Sequence, residues 1–422
     1  MGESGKIGDV RTQARIAVAV LAMTVALAAP SVHAQTYSVI YNFAGGADGD
    51  TPIGGVTVDA AGSLYGTTSA GGRRGCGNVY RLAHTQSGWN FYLLYTFRGD
   101  TENDGSSPFA RVVIGPDGYL YGSTHSGGNG DGCRNRYGCG TVFRVAPKPG
   151  GGPLDPWMET VLHRFGTYDG SDPSYGDLVF DGAGNLFGVT RDGGAYLQGA
   201  VYELHPKGGV WSERVVHSFA GTPDGAAPQD GPFMDAAGTL YGATSAGGEY
   251  GYGTVYELRP VSVFWRESVL HSFAGTEEGV EPSAGVFLDA AGNLYGATQS
   301  GGAGGGGTLY QLQPHGEGWN LSTLHNLAGP LGGGPYSTPV MDRDGNLYGT
   351  ASADGAYGQG SVFKLSWSQG QWSYTSLHDF TGGADGGAPV GRLALDANGN
   401  LYGTASLGGA YGNGVVFKIA AQ

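Results

Sequence analysis

The chain has 422 residues and a net charge of −14, with only 14% of its residues charged. The acidic balance excludes a nucleic-acid surface built on clustered Lys and Arg, and the low charge content excludes a disordered acidic chain. Its 83 glycines and 20 prolines fall between runs rich in Tyr, Phe, Val and Leu, the pattern of strands joined by turns.

At the N-terminus, Lys6, Arg11 and Arg15 precede an apolar run from Ile16 to Ala29, followed by Pro30 and Val32-His33-Ala34. This pattern predicts a secretory signal peptide over residues 1–34, cut after Ala34. The 14-residue run is shorter than the ~20 residues that span a bilayer. The mature chain is therefore expected to be secreted, periplasmic or extracellular, with no transmembrane segment and no C-terminal anchor.

From Gln35 onward one phrase recurs. Leu64-Tyr65-Gly66 returns as Leu120-Tyr121-Gly122, Leu186-Phe187-Gly188, Leu240-Tyr241-Gly242, Leu294-Tyr295-Gly296, Leu347-Tyr348-Gly349 and Leu401-Tyr402-Gly403, at spacings of 56, 66, 54, 54, 53 and 54 residues. A period near 54 with strand-like content in each unit predicts an all-β fold, a β-propeller of seven four-stranded blades over residues 35–422. Within a unit, a short apolar strand leads to a turn of the form Asp-x-x-Gly, as in Asp396 to Gly399. A strand bearing Leu-Tyr-Gly follows, then a Gly-rich loop, a third strand and a fourth. Asp342-Arg343-Asp344-Gly345-Asn346 has a faint likeness to a calcium loop but lacks further ligands at the required spacing.

The fourth strand keeps a fixed register. Trp89, Trp157, Trp211, Trp265, Trp319 and Trp372 each stand eight residues before Phe97, Phe165, Phe219, Phe273, Leu327 and Phe380. One repeated Trp position reads as inter-blade packing. His163, His217, His271, His325 and His378 also repeat and read as structural, because catalysis needs one placed base rather than five equivalent ones. Counting eight residues back from Phe43 reaches Gln35, so the mature chain begins with a lone fourth strand. That strand is expected to complete the last blade and leave no open sheet edge.

Three cysteines are present. Cys133 could bridge Cys139 or Cys76, and sequence alone does not choose.

Asn-Leu-Tyr-Gly-Thr-Ala-Ser, Gly-Gly-x-Tyr-Gly-x-Gly, Val-Val-Phe-Lys and Leu-His-x-Phe resemble the repeat of the Gloeo/Verruco (GloVer) family of secreted bacterial proteins. The rhythm is also similar to NHL-type propeller repeats. That second likeness implies that the strand before Asp-x-x-Gly is innermost and the Trp strand outermost. Neither resemblance implies a catalytic residue.

Function is expected on the face carrying the long loops, the fourth-to-first and second-to-third connections. The former contains acidic-Gly-x-x-Pro at Asp48, Asp104, Asp169, Asp224, Glu278 and Asp385, with Leu331 as the exception. The latter carries Tyr196, Tyr250, Tyr252, Tyr357 and Tyr411. Aromatic faces and carboxylates suit a sugar, although capping by each Asp and groove filling by each Tyr explain the same residues. Candidates that break the repeat are His125 and Arg191-Asp192. Arg73, Arg74, Arg134 and Arg136 form a basic group able to grip an acidic ligand.

There is no nucleophile elbow, zinc signature or phosphate loop, and no cofactor or metal is expected. The first expectation is a monomeric, non-enzymatic binding scaffold for an extracellular polysaccharide or protein partner, with an evenly Gly-lined channel. The second is a carbohydrate-active lyase or hydrolase at the long-loop mouth, with His125 as a possible base. The third is a structural surface or matrix protein.

Overall fold

A computed structural model describes residues 1, 35–99, 103–128, 133, 138–152, 157–173, 175–275, 277–329 and 333–421. The expected signal peptide, Arg134, Arg136 and Leu331 lie outside the described residues. Among the described residues, seven four-stranded antiparallel sheets and one two-residue ladder, Gly105–Ser106 with Ser126–Gly127, account for the regular structure. Blade 1 comprises Val56–Val58, Leu64–Thr68, Asn78–Thr85 and Gly88–Thr96, and blade 2 comprises Val113–Ile114, Leu120–Thr124, Thr141–Ala146 and Met158–Arg164. Blade 3 comprises Val179–Phe180, Leu186–Thr190, Ala200–Lys207 and Val210–Ser218, and blade 4 Phe233–Met234, Leu240–Thr244, Thr254–Val261 and Phe264–Ser272. Blade 5 comprises Phe287–Leu288, Leu294–Ala297, Thr308–His315 and Gly318–Asn326, and blade 6 Val340–Met341, Leu347–Ala351, Ser361–Ser368 and Gln371–Asp379.

Blade 7 joins the two ends of the chain. Ala394–Leu395, Leu401–Ala405 and Val415–Ile419 are completed by Tyr37–Asn42, with Tyr37 opposite Ile419 and Asn42 opposite Val415. The lone N-terminal strand therefore occupies the edge that the last unit leaves unpaired. The first strands are shorter than expected: the stretch read from Pro389 to Asp396 forms only a two-residue ladder, Ala394–Leu395.

Leu-Tyr-Gly recurs because its three positions have separate tasks. Its Leu is buried in every blade, as at Leu64, Leu240 and Leu401. Its Tyr hydroxyl donates to the turn Asp, as from Tyr348 to Asp342 at 2.9 Å. Its Gly leaves room for the third-strand aromatic, since a Cβ on Gly242 would lie 2.3 Å from the Tyr256 hydroxyl.

The fourth-strand register closes the gaps between blades. Phe219 of blade 3 packs edge-on against Tyr256 of blade 4 at 5.0 Å, and Phe273 of blade 4 against Tyr310 of blade 5 at 5.3 Å. Trp265 meets Phe187 of the preceding blade at 5.7 Å, and Trp372 meets Tyr295 likewise at 6.2 Å. Seven apolar clusters result, one at each blade interface. Each buried Phe contributes roughly 1.5–3 kcal/mol, and each edge-on aromatic pair about 0.5–1.5 kcal/mol more.

The repeated histidines and acids pair with each other. His163, His217, His271 and His378 meet Asp169, Asp224, Glu278 and Asp385 through Nε2 at 3.0–3.1 Å. Tyr41 and Tyr95 donate to Asp48 and Asp104 in the same role. The same carboxylates accept backbone N–H groups at the loop start, such as that of Ala220 on Asp224 at 2.8 Å. The acidic ring thus ties each loop to its own blade. His325, whose unit has Leu331 at the acidic position in the sequence, stacks on Tyr374 at 4.1 Å instead, and burial lowers its pKa.

Candidate functional site at the channel mouth

The residue before the proline of acidic-Gly-x-x-Pro takes a left-handed conformation in six units: Thr51, Ser107, Asp172, Ala227, Glu281 and Ala388, with φ from 50° to 58°. Its carbonyl accepts the N–H that follows the second strand, as from Ser69 to Thr51 at 3.1 Å, His125 to Ser107 at 3.0 Å and Arg191 to Asp172 at 2.9 Å. In most units that second residue is Ser, and the hydroxyls of Ser69, Ser245 and Ser406 turn back onto the same carbonyl at 2.8–2.9 Å. At His125, Arg191 and Gln299 the Ser is replaced by a side chain too long for that closed contact. His125 and Gln299 instead reach the next unit's loop, at Asp172 and Tyr336, and Arg191 reaches the Asp172 carboxylate of its own.

His125 and Arg191 converge on one carboxylate. His125 Nδ1 contacts Asp172 Oδ1, and Arg191 Nη1 lies 3.7 Å from Asp172 Oδ2. The Asp172 side chain is 13% exposed, against 29% for His125 and 48% for Arg191, so the anion is sheltered and its partners face solvent. The Asp172 N–H donates to the Cys139 carbonyl at 3.0 Å, and Cys139 is bonded to Cys133. The disulfide-closed loop of blade 2 therefore fixes the residue that organises the site. Cys76 is free.

Asp192 pairs with Ser171 through reciprocal backbone hydrogen bonds of 2.9 and 3.0 Å. Partial burial and, after it, the nearby Asp172 carboxylate raise its pKa. His125, Cys139, Thr167, Asp172, Asp192 and Leu197 line a cavity of about 210 Å³.

An aromatic row extends from this cavity over the channel. His125 stacks on Phe109 at 4.7 Å, Phe109 stacks on Tyr175 at 5.5 Å, and Tyr175 meets Tyr336 at 6.3 Å. Tyr175 leads into blade 3 and Tyr336 into blade 6, so the row crosses the axis. The Gln299 amide donates to the Tyr336 hydroxyl. Sequence reasoning missed Phe109, Tyr175, Tyr336 and Asp172. Its available signal was the shared register of the three aromatics, each six residues before the start of its Asp-x-x-Gly-type turn.

Two residues further along, the channel carries a second polar tier: Gly55, Arg111, Asp177, Gly231, Gly285, Thr338 and Arg392. The expectation of an evenly Gly-lined channel is thereby corrected. Arg111 binds Asp177 through Nε and Nη2 at 2.7–3.1 Å, and Arg392 of blade 7 reaches Asp177 at 3.4 Å. Asp230, one residue before the Gly231 position, accepts from the Thr338 hydroxyl at 2.6 Å, skipping blade 5. Contacts that skip blades are possible only at the axis, and they place the first strands innermost.

The remaining candidates lie elsewhere. Tyr196, Tyr250, Tyr357 and Tyr411 stand exposed on the second-to-third loops, so groove filling does not account for them. Arg73 and Arg74 are exposed on the corresponding loop of blade 1. His163, Asp169 and Glu213 offer atoms within 4.8 Å of one another, a spacing that could hold a metal ion. The His–acid pair there recurs in blades without the Glu, and blade closure accounts for it. Asp342, in the calcium-like loop, has its carboxylate taken by Asp344, Asn346 and Tyr348 donors. Burial pushes its pKa up, but those bonds hold it below the ordinary carboxylate range.

Seven blades closed by a terminal strand, with an asymmetric mouth on the long-loop face, define a seven-bladed β-propeller. The profile of the Gloeobacter/Verrucomicrobia repeat matches residues 28–236, 134–268 and 231–422, and the chain belongs to that family. No curated protein is similar in sequence. Among solved structures, the extracellular domain of a protein assigned as a hybrid two-component system from B. thetaiotaomicron superposes with a TM-score of 0.53 at 10% identity. That match covers 90% of this chain and 39% of the other, so the chain spans about two-fifths of that structure's length. A protein assigned as a gluconolactonase gives a TM-score of 0.40 at 12% identity, covering 92% of each chain. A protein of Thermus thermophilus assigned as an oxidoreductase of the glucose dehydrogenase type gives 0.42 at 16% identity, covering 73% of this chain and 95% of the other.

Proposed function

We propose that this propeller is a secreted binding module that seats an extracellular glycan at its long-loop mouth. The observation that carries this reading is the convergence of repeat-breaking residues there: His125, Arg191 and Asp172 beside the Phe109–Tyr175–Tyr336 row. Aromatic faces pack against sugar C–H surfaces, while a carboxylate and a guanidinium exchange hydrogen bonds with hydroxyl or acidic groups. Export agrees with the Cys133–Cys139 disulfide, which persists in oxidising compartments, and with the leader-like residues 1–34. Among the described residues no helix is long and apolar enough to cross a membrane.

One observation favours a carbohydrate-active enzyme as a second reading. The Asp172 carboxylate holds His125 by Nδ1, an arrangement that fixes a general base and leaves Nε2 for substrate. Isothermal titration with neutral and uronic-acid oligosaccharides, followed by chain-length analysis of the recovered sugar, tests both readings. Saturable binding weakened by His125→Ala and Tyr175→Ala, with the sugar intact, supports the module. Cleavage abolished by His125→Ala supports the enzyme. Absence of binding to every glycan class, or binding indifferent to both substitutions, rejects the mouth as a glycan site.

A further inference from the structure

Beneath the Arg111–Asp177 pair the channel widens into a second cavity of about 520 Å³, opening toward the Asp-x-x-Gly turns. Phe233, Phe287, Val340, Met341 and Leu395 form apolar walls, and Arg111 and Arg392 border it. Asp289 and Asp342 line it at the turns, where turn N–H groups and a Tyr hydroxyl occupy their carboxylates. Its charges are unequally satisfied. Asp230 accepts four hydrogen bonds, from the N–H groups of Gly231, Gly285 and Thr338 and from the Thr338 hydroxyl, at 2.6–3.0 Å. Asp177 is gripped by Arg111, whose Nη1 also donates to the Val56 carbonyl at 3.1 Å.

Arg392 is the group left over. Among the described residues its side chain makes one hydrogen bond, from Nη1 to Asp177, at the long distance of 3.4 Å. Its Nε is buried with no hydrogen-bond partner among the described residues. Its side chain is 26% exposed and borders the cavity. A guanidinium with unspent donors beside apolar walls is costly unless an acceptor meets it, and its planar fork matches a carboxylate.

We infer that this lower chamber binds a small organic anion, a carboxylate on an apolar body, with the carboxylate on Arg392 and the body between Phe233, Phe287 and Met341. The seat shares no residue with the glycan mouth and goes beyond that reading.

Titrating the full chain with 4-phenylbutyrate, and with 4-phenylbutanol as its neutral counterpart, tests the site by calorimetry and thermal shift. The acid should bind saturably and raise Tm, the alcohol should bind at least tenfold more weakly, and Arg392→Met should lose at least tenfold in affinity for the acid. Val340→Phe, which narrows the chamber and leaves the ion pairs in place, should weaken the acid as well and serves if Arg392→Met does not fold. No saturable binding of the acid, equal binding of acid and alcohol, or undiminished affinity in either variant overturns the inference.

Discussion

Asp172 and His125 stand 47 positions apart in the chain, yet Oδ1 of one meets Nδ1 of the other at the channel mouth. Asp172 reaches that position because its backbone is pinned between Cys139 and Arg191. Asp172→Asn keeps the shape and removes the charge that holds His125 and Arg191. Ligand affinity at the mouth should fall about tenfold, and stability by about 1 kcal/mol, since the pair is only partly buried. Titration calorimetry and urea unfolding read the two effects; unchanged affinity would show that the carboxylate does not organise the site.

Gly242 lies under the Tyr256 ring, and a Cβ there would approach the hydroxyl to 2.3 Å. Gly242→Ala should therefore destabilise the chain by about 1–3 kcal/mol through overpacking. Adding Tyr256→Leu removes the obstructing atoms and should recover part of the loss. An equal cost of Gly242→Ala with and without Tyr256→Leu would mean that room for the Tyr256 ring does not select glycine here.

How much was legible divides along the same physical line. Each blade is one repeat, so the spacing of Leu-Tyr-Gly counted the blades, and the fourth-strand register from Gln35 to Phe43 located the closing strand. His125 and Arg191 were legible because they interrupt a local column of small residues. Asp172 was not, because its importance lies in reaching into the neighbouring unit, a contact that no local pattern encodes. Arg111, Asp177 and Arg392 break the repeat in one register, four residues before each turn, and pass unnoticed until that register is known to face the axis. The choice of Cys139 over Cys76 depends on loop geometry that spacing does not supply.

Tyr80, Tyr202, Tyr256 and Tyr310 bury their hydroxyls with no hydrogen-bond partner among the described residues, whereas blades 2, 6 and 7 place Phe143, Phe363 and Phe417 at the same position. A buried hydroxyl without a partner costs about 1–3 kcal/mol. Tyr202→Phe should thus leave stability unchanged or raise it by about 1 kcal/mol. A loss of more than that in chemical denaturation would reveal a hydrogen bond that the packing conceals.

The last prediction concerns pH. Glu213 and Glu267 face the His–Asp pairs of the preceding blade, and each has one carboxylate oxygen buried without a partner. Burial, with Asp169 raising and His163 opposing, pushes Glu213 up to about 7 from an ordinary 4.5. Burial and Asp224 take Glu267 to about 7 as well. A carboxyl with a raised folded-state pKa binds its proton more tightly when folded, so its contribution is fully present below the unfolded value and is lost as pH rises through the folded one. The wild-type protein should lose this contribution between about pH 4.5 and pH 7, with little further change above. Glu213→Gln cannot ionise: it should match the wild type near pH 5 and exceed it near pH 8. Comparing the two proteins by urea unfolding at both values cancels the titration of every group remote from Glu213, leaving Glu213 and its neighbours His163 and Asp169. Parallel pH dependences in the two would show that Glu213 ionises in the folded chain as it does in water.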